Sequence, residues 1–584
     1  MVEAKQGFSV LYKQRFLYSK YAPEASVLKF IDGLTLLPDT LILCYAPVMG
    51  YGISELFNKL PSGCHILTVD FDKHLHEFFL EHFQTEGKKI SSVLLNNPSE
   101  IANILNGREI LPPPGSFKRA IVVKMSGGTV FNEKAYTEVT EYVDNFIQTF
   151  WKNHITLTRM GRMFALDIIR NVKMIEGTVC GSNDAKGFHD AQDFEAHESD
   201  CSNSYKYLKY TNNIQFLQKN IVSKPILVIG AGLSTDKLLP ELAAHRQNFF
   251  ILCVDAALPA LLQNRIRPDA VVAVECQLAI EKAYIGAAES GIHVIADLTS
   301  RPRVTRLCGG NVSFFLSEYC TLPFMKELTN AARSLGIPVF PPLGSVGLYA
   351  VETALYIRKK ETPVFVCGLD FSFIPGQTHC KGAPAHTAQL ISAERRKPAG
   401  TPAAAYNHTA HTIVGKARRT EYTDAALSGY GALYAKRYEK VSNLFDCADS
   451  GMESGIQRIT REVMFEVAEK FVVHAGCAAI NHNTQKPTAS PQTVQNEAES
   501  AFAAPAAKAE CGYVENQMKK LLRIKAILTG SEKPRNDNEL EELIGECGYL
   551  YAHFPDCAAG FRMTQDFLNR IRAEVDVFLK AGKA

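Results

Sequence analysis

Between about residues 225 and 377, short apolar runs alternate with segments patterned for helices, and this constrains the fold more than any other feature. The runs are Ile226–Ile229, Phe249–Val254, Ala270–Val274, Ile292–Ala296, Val312–Leu316 and Val364–Cys367. Helical patterns lie between them at about 236–246, 256–265, 278–290, 321–335 and 345–360. A strand that is apolar on every residue is buried on both faces. Strand–helix alternation of this kind gives a mostly parallel sheet covered on both sides by helices. The expected fold class is therefore α/β, with a central doubly wound, mostly parallel sheet.

The flanks read differently. Leu41–Tyr45 and His65–Val69 are apolar runs separated by the turn Met49-Gly50-Tyr51-Gly52 and a short amphipathic stretch, Ile53–Leu60. The second run ends at Asp70 and Asp72, making a strand–turn–helix–strand unit. Val139, Tyr142, Val143, Phe146 and Phe150 recur at helical spacing within 135–175. Residues 181–204 are polar and turn-rich, as in a linker or surface loop. Residues 378–422 have little periodicity and predict a lid loop. Helical patterning runs from about 423 to 480 and resumes after a Pro/Ala/Thr-rich linker, Gln485–Lys508. The expected domains are an N-terminal α/β domain over 1–180, a central domain over 205–422 and a C-terminal helical region over 423–584.

The bulk numbers exclude several classes. There are 63 basic and 61 acidic residues, a net charge of +2, so nothing pulls the whole chain towards nucleic acid or an anionic membrane. The 15 cysteines form no CxxC, and those inside apolar runs, such as Cys44, Cys253 and Cys367, act as small hydrophobes. That odd count, without an apolar leader at the N-terminus, predicts a reducing compartment, the cytoplasm. No run of about 18 apolar residues predicts a membrane span. P-loop, HExxH, GxSxG and EF-hand patterns are absent.

Chemistry-bearing residues cluster where the expected strands end. After Pro225–Ile229 comes Gly230-Ala-Gly232-Leu-Ser234-Thr-Asp236, a strand running into Gly-x-Gly and a helix start. Such a turn lets a phosphate approach backbone N–H groups, or is simply a tight turn. Thr235 stands where the dinucleotide fingerprint has its third glycine, and Asp255 ends the next strand where that fingerprint has an acid. Glu275 and Gln277 end the following run, with Glu275 readable as a ligand contact or a helix cap. Gly344 and Ser345 open the helix at 345–360, either as a second anion site or as an ordinary cap. Val364–Cys367 ends in Gly368-Leu-Asp370. Asp370 could bind a metal, orient a ribose, act as an acid or base, or cap backbone N–H groups. His379 and His386 follow, with histidine suited to base catalysis near neutral pH. Lys381, Arg395, Arg396, Lys397, Lys416, Arg418 and Arg419 make the loop basic, and most read as an exposed charge run.

Taken in order, these segments resemble the Maf (motility accessory factor) family, whose central domain is shared with MptE-like 6-hydroxymethylpterin pyrophosphokinases. The segments are VIGAGLSTDKLLPEL, CVDAALPALLQNRIRPDAVVAVE, LGSVGLYAVETALYI and VFVCGLDFSF with His379 beyond it. IVGKARRTEYTDAALSGYGALYAKRYEKV, DSGMESGIQRI and the N-terminal LCYAPVMGYGISELF…ILTVDFD extend the likeness over roughly 35–460. Leu233 stands where the family has Pro, and Glu275 where Asp is usual. The resemblance implies a Rossmann-like, sialyltransferase-like central fold and a degenerate methyltransferase-like N-terminal domain. It implies a cytoplasmic glycosyltransferase that moves a nonulosonic sugar, of the pseudaminic or legionaminic kind, from a CMP-activated donor to Ser or Thr of flagellin. No cofactor beyond the CMP-sugar and no metal is then required. Gly230, Gly232 and Ser234 would approach the cytidine phosphate, Gly344 and Ser345 would make a second donor contact, and His379 would be the base. Asp255, Glu275, Gln277 and Gly368 complete the donor set, with Asp370 beside His379 in catalysis. The alternatives are a hydroxymethylpterin pyrophosphokinase using ATP and Mg²⁺, and a non-catalytic flagellin-binding protein.

Overall fold

The computed structural model describes residues 1–83, 90–107, 109–179, 224–396, 398, 409–483 and 512–583. The linker expected at 181–204, that at Gln485–Lys508 and Lys397 lie outside the described residues. The chain divides into two compact units, Met1–Arg162 with Tyr549–Ile571, and Met163–Gly548 with Arg572–Ala584. This division differs from the three sequence zones, because residues 549–571 group with the N-terminal part.

The first unit holds four parallel strands: β1 (Thr40–Tyr45), β2 (His65–Asp70), β3 (Ile90–Leu94) and β4 (Arg119–Lys124). Their order is β3-β2-β1-β4. The central pair, β1 and β2, is buried at every residue, so both read from sequence as apolar runs. The edge strands β3 and β4 are only partly buried and carry Ser, Arg and Lys, which hid them from the apolar pattern. Helix α1 (Ile53–Asn58) follows the expected turn, in which Gly50 and Gly52 have φ of +69° and +77°. Helix α2 (Glu133–Val179) starts in this unit and supplies residues to the second.

The second unit is built on eight strands, each parallel to its neighbours: β5 (Ile226–Ile229), β6 (Phe250–Val254), β7 (Ala270–Ala273), β8 (Ile292–Asp297), β9 (Gly309–Ser317), β10 (Val339–Phe340), β11 (Val364–Cys367) and β14 (Leu444–Asp446). Their order, β10-β9-β8-β7-β6-β5-β11-β14, reverses direction between β5 and β11. All six expected runs are strands, and the doubly wound α/β class holds. Helices α3 (Thr235–His245), α4 (Leu258–Gln263), α5 (Pro323–Ser334), α6 (Val346–Ile357) and α7 (Pro384–Ile391) connect or follow them. The helix expected at 278–290 is reduced to a 3-10 stretch, Leu278–Tyr284, and Gly286 beyond it takes φ of +85°.

Two expectations need correction. The segment read as helical from 423 to 480 is helix α8 (Ala425–Tyr438), strand β14 and helix α9 (Arg461–Asn483). At three residues β14 is too short to show a period, and it is drawn into the sheet by tertiary packing, with Phe445 stacked on Phe365 at 5.6 Å. The segment read as an irregular lid holds α7 and an antiparallel hairpin, β12 (His411–Val414) and β13 (Thr420–Thr423). Lys416, in that hairpin's turn, is not part of an exposed charge run. Its ammonium is buried against Asp446 of β14 at 2.6 Å. Asp446 also accepts from Ser454 Oγ at 2.7 Å and the Ala448 N–H at 3.0 Å.

A buried pair costs most when one member is removed, because the other is left charged and unpaired. Lys416→Met is therefore expected to lower stability by about 3–5 kcal/mol. Lys416→Met combined with Asp446→Asn should recover most of that loss, as read by urea denaturation.

Candidate functional site

The strand order reverses between β5 and β11, and ligands of open α/β sheets bind at such points. Here the two strand ends interlock. Gly230 N–H donates to Cys367 O and Gly232 N–H to Gly368 O, both at 2.8 Å. A Cβ at Gly230 would lie 2.3 Å from Gly368 O, and one at Gly232 would lie 2.6 Å from Asp370 Oδ2. Gly368 has φ of +79°, and a Cβ there would lie 2.2 Å from Thr235 Oγ1. These glycines thus permit a close backbone approach, but what approaches is the β11 loop rather than open space for a phosphate.

Asp370 takes the place expected for an anion at the start of α3. Its Oδ2 accepts from Ser234 N–H at 2.8 Å and Ser450 Oγ at 3.3 Å, and its Oδ1 accepts from Ser234 Oγ at 2.5 Å. Ser234 Oγ in turn accepts from Gly368 N–H at 2.9 Å. Of the roles open to Asp370, this bonding is that of a carboxylate satisfying a helix start, where the dipole favours negative charge. Burial raises its pKa to about 6, while the Ser234 hydrogen bonds pull the other way.

The loop that carries His379 is pinned to the same place. Asp236, in the first turn of α3, accepts from Gln377 Nε2 and from Lys381 N–H, both at 2.7 Å. Cys380 N–H donates to Ala231 O at 2.8 Å. His379 is half-buried between these anchors, and burial lowers its pKa, so the ring is neutral near pH 7 and can accept a proton. Its Nδ1 pairs with Thr378 Oγ1 at 3.0 Å. His386 is used locally, its Nδ1 accepting from Gly382 N–H at 3.4 Å.

Further along the edge the arrangement is open. Helix α6 lies against β5, β6 and β7. Ser345 occupies its N-cap position with an extended backbone, yet no side chain caps the helix among the described residues. Gly344 beside it is exposed and has φ of +71°. Gly347 lets the first turn sit on Leu369, to which a Cβ would come within 2.4 Å. Asp255 ends β6, one strand over from Gly230, since Cys253 pairs with Ile229. Asp255 is buried, accepts from Ala256 N–H at 2.7 Å, and is raised to about 7 by burial and then by Glu275. Glu275 is half-buried and accepts from Gln277 N–H at 3.0 Å, the turn-capping bond, while Gln277 itself is exposed. Beyond them the edge is covered: Asn171 of α2 donates to Leu298 O at 3.0 Å and Ser300 O at 2.8 Å.

Thus Gly230, Gly232, Ser234, Gly368, Asp370 and His379 gather around the β5–β11 gap, and Asp255, Glu275, Gly344 and Ser345 line the edge beside it. Sequence reading missed the anchoring role of Asp236 and the buried Glu421. Glu421 accepts from Ser372 Oγ and from Gly451 N–H, and Gly451, with φ of +100°, sits against Asp370. The DSG motif was the visible signal for Gly451, but nothing near Glu421 in sequence marks its partners. Among the described residues, no group of three or more His, Cys, Asp or Glu side chains could hold a metal ion, and no helix is long and apolar enough to cross a membrane.

Residues 200–376 match the family model described as 6-hydroxymethylpterin diphosphokinase MptE-like. The doubly wound unit therefore carries an MptE-like domain, as the resemblance implies, and every candidate residue except Gln277's distant neighbours in the loop and His379 falls within the matched span. Over 585 aligned residues the chain is 29% identical to an uncharacterized protein of Treponema pallidum (strain Nichols), covering 99% of this chain and 94% of that protein. Among solved structures it is similar to the MAf glycosyltransferase from Magnetospirillum magneticum AMB-1, with a TM-score of 0.49 and 13% identity over 100% of this chain and 90% of that one.

A carboxyl whose pKa is higher in the folded than in the unfolded protein holds its proton more tightly when folded. Asp370 therefore adds stability below about pH 4, and that contribution is lost as the pH rises to about 6. Asp370→Asn is expected to flatten this part of the stability–pH curve, measured by urea denaturation at pH 4, 5 and 6.

Proposed function

We propose that this chain is a glycosyltransferase that moves a nonulosonic, sialic-acid-like sugar from a CMP-activated donor to Ser or Thr of flagellin. The observation that carries this reading is the contrast between two helix starts at one sheet edge. The start of α3 is closed by Asp370, whereas that of α6 is uncapped beside exposed Gly344. Backbone N–H groups and the helix dipole at Gly344–Val346 suit the phosphate of the donor. The resemblance to the Maf family, and the MptE-like match over 200–376, supply the nucleotide-sugar and its acceptor.

In this reaction the acceptor hydroxyl oxygen bonds to the anomeric carbon as the bond from that carbon to the phosphate oxygen breaks. CMP leaves with the bonding pair as a phosphate anion, stabilised at the start of α6. The hydroxyl proton passes to His379, whose buried ring is neutral near pH 7. The described residues assign no metal to this step, and none is needed for a leaving group that is already a stable anion. The name of the matched family favours a second reading, a pyrophosphokinase acting on a hydroxymethylpterin with ATP and Mg²⁺.

Calorimetry separates these. CMP should bind without ATP–Mg²⁺ competing. Binding of ATP–Mg²⁺ but not CMP would replace the transferase by the pyrophosphokinase, and binding of neither would leave a non-catalytic flagellin-binding protein. His379→Ala should lower transfer by about 10²- to 10⁴-fold while leaving CMP affinity unchanged, read from the intact mass of flagellin.

A further inference from the structure

Three buried acids end strands at the carboxyl edge of the large sheet, and they differ in how their oxygens are used. Asp297, ending β8, accepts from Thr299 and Ser317 through both oxygens. Asp370 beyond β11 accepts from Ser234 and Ser450 through both. Asp255, ending β6, is only 3% exposed, and its Oδ1 takes the Ala256 N–H. Its Oδ2 accepts from nothing among the described residues. A buried carboxylate oxygen without a donor is costly, so native structures rarely keep one without a use.

A second unpaired polar group lies close by. The Tyr284 hydroxyl is buried with no hydrogen-bond partner, and the charge of Asp255 contributes to the upward shift of its pKa. Two unsatisfied groups, one an acceptor and one a donor or acceptor, thus face the same region beside the β5 loop. Glu275 adds further negative charge there. That charge turns phosphate away and favours a neutral ligand group rich in O–H donors. The phosphate has its own place at the uncapped start of α6, which packs over β6. In strand–loop–helix–strand folds, an acid ending the second strand meets the ribose hydroxyls of a nucleotide whose phosphate lies at a helix start.

We infer that Asp255 recognises the ribose diol of the bound nucleotide through Oδ2, making the site selective for ribonucleotides over deoxyribonucleotides. The inference rests on the nucleotide reading of this site but not on the identity of the base. Asp255→Ala removes the acceptor; Asp255→Asn keeps its shape and the bond to Ala256 while replacing one oxygen by an amide.

The test is calorimetry of the full chain with CMP, its 2′-deoxy and 3′-deoxy forms, and the same three forms of ATP with Mg²⁺. The wild type should bind the ribo form of whichever base it accepts about 10- to 100-fold more tightly than at least one deoxy form. Asp255→Ala should abolish that difference by weakening the ribo form alone, and Asp255→Asn should shrink it. Equal binding of ribo and deoxy forms by the wild type overturns the inference without a variant that must fold. So does discrimination that survives in Asp255→Asn and Asp255→Ala, or no binding by any of the six nucleotides. Binding of only the ATP series, with ribose discrimination through Asp255, upholds the inference while the CMP-transferase reading fails.

Discussion

The arrangement of the large sheet's carboxyl edge depends on one buried carboxylate. Asp370 lies on the start of α3, between the Gly-x-Gly turn after β5 and the turn after β11. It reaches that position only because Gly230, Gly232 and Gly368 carry no Cβ. Each of these glycines would otherwise place a carbon within 2.6 Å of the opposing loop. A helix start needs acceptors for its free N–H groups, and a carboxylate is the strongest acceptor a protein can supply. The gap at the reversal of strand order is thereby filled with protein.

Filling that gap shifts the open part of the edge sideways. The start of α6 becomes the uncapped helix terminus, and Asp255 the acid with an unused oxygen. His379 is held to the closed side by Asp236 and the Ala231 carbonyl, so a neutral imidazole is fixed next to the switch point by bonds to α3 and its preceding loop. The same economy recurs at the far side of β11. There the Lys416–Asp446 pair and Glu421 tie the hairpin and the DSG turn beneath Asp370, each charge buried with its hydrogen bonds supplied.

Much of the fold was legible. The six fully buried strands announced themselves because burial on both faces leaves no polar position in a run of four or more residues. The strands that stayed hidden are edge strands or very short ones. β3 and β4 mix polar residues into partly buried patterns, and β10 and β14 have two and three residues. The types of the candidate site residues were legible too, since glycines, acids and a histidine at strand ends stand out against apolar runs. Their partners were not. Asp370 and Ser234 are 136 positions apart, and Asp236 and Lys381 are 145 apart, so only the folded sheet brings them into contact.

The sequence by itself determined that this chain builds a parallel, doubly wound sheet with glycines and acids at its carboxyl edge, because hydrophobic periodicity and turn chemistry act locally along the chain. Tertiary structure alone decided which of those groups is spent on the fold and which is left open. Asp370 is consumed by α3, Lys416 by Asp446, and Asp297 by its own edge, while the start of α6 and one oxygen of Asp255 remain unsatisfied. The physical reason is hydrogen-bond accounting: whether a buried polar group has a partner depends on what other strands and loops present to it, and no local pattern records that.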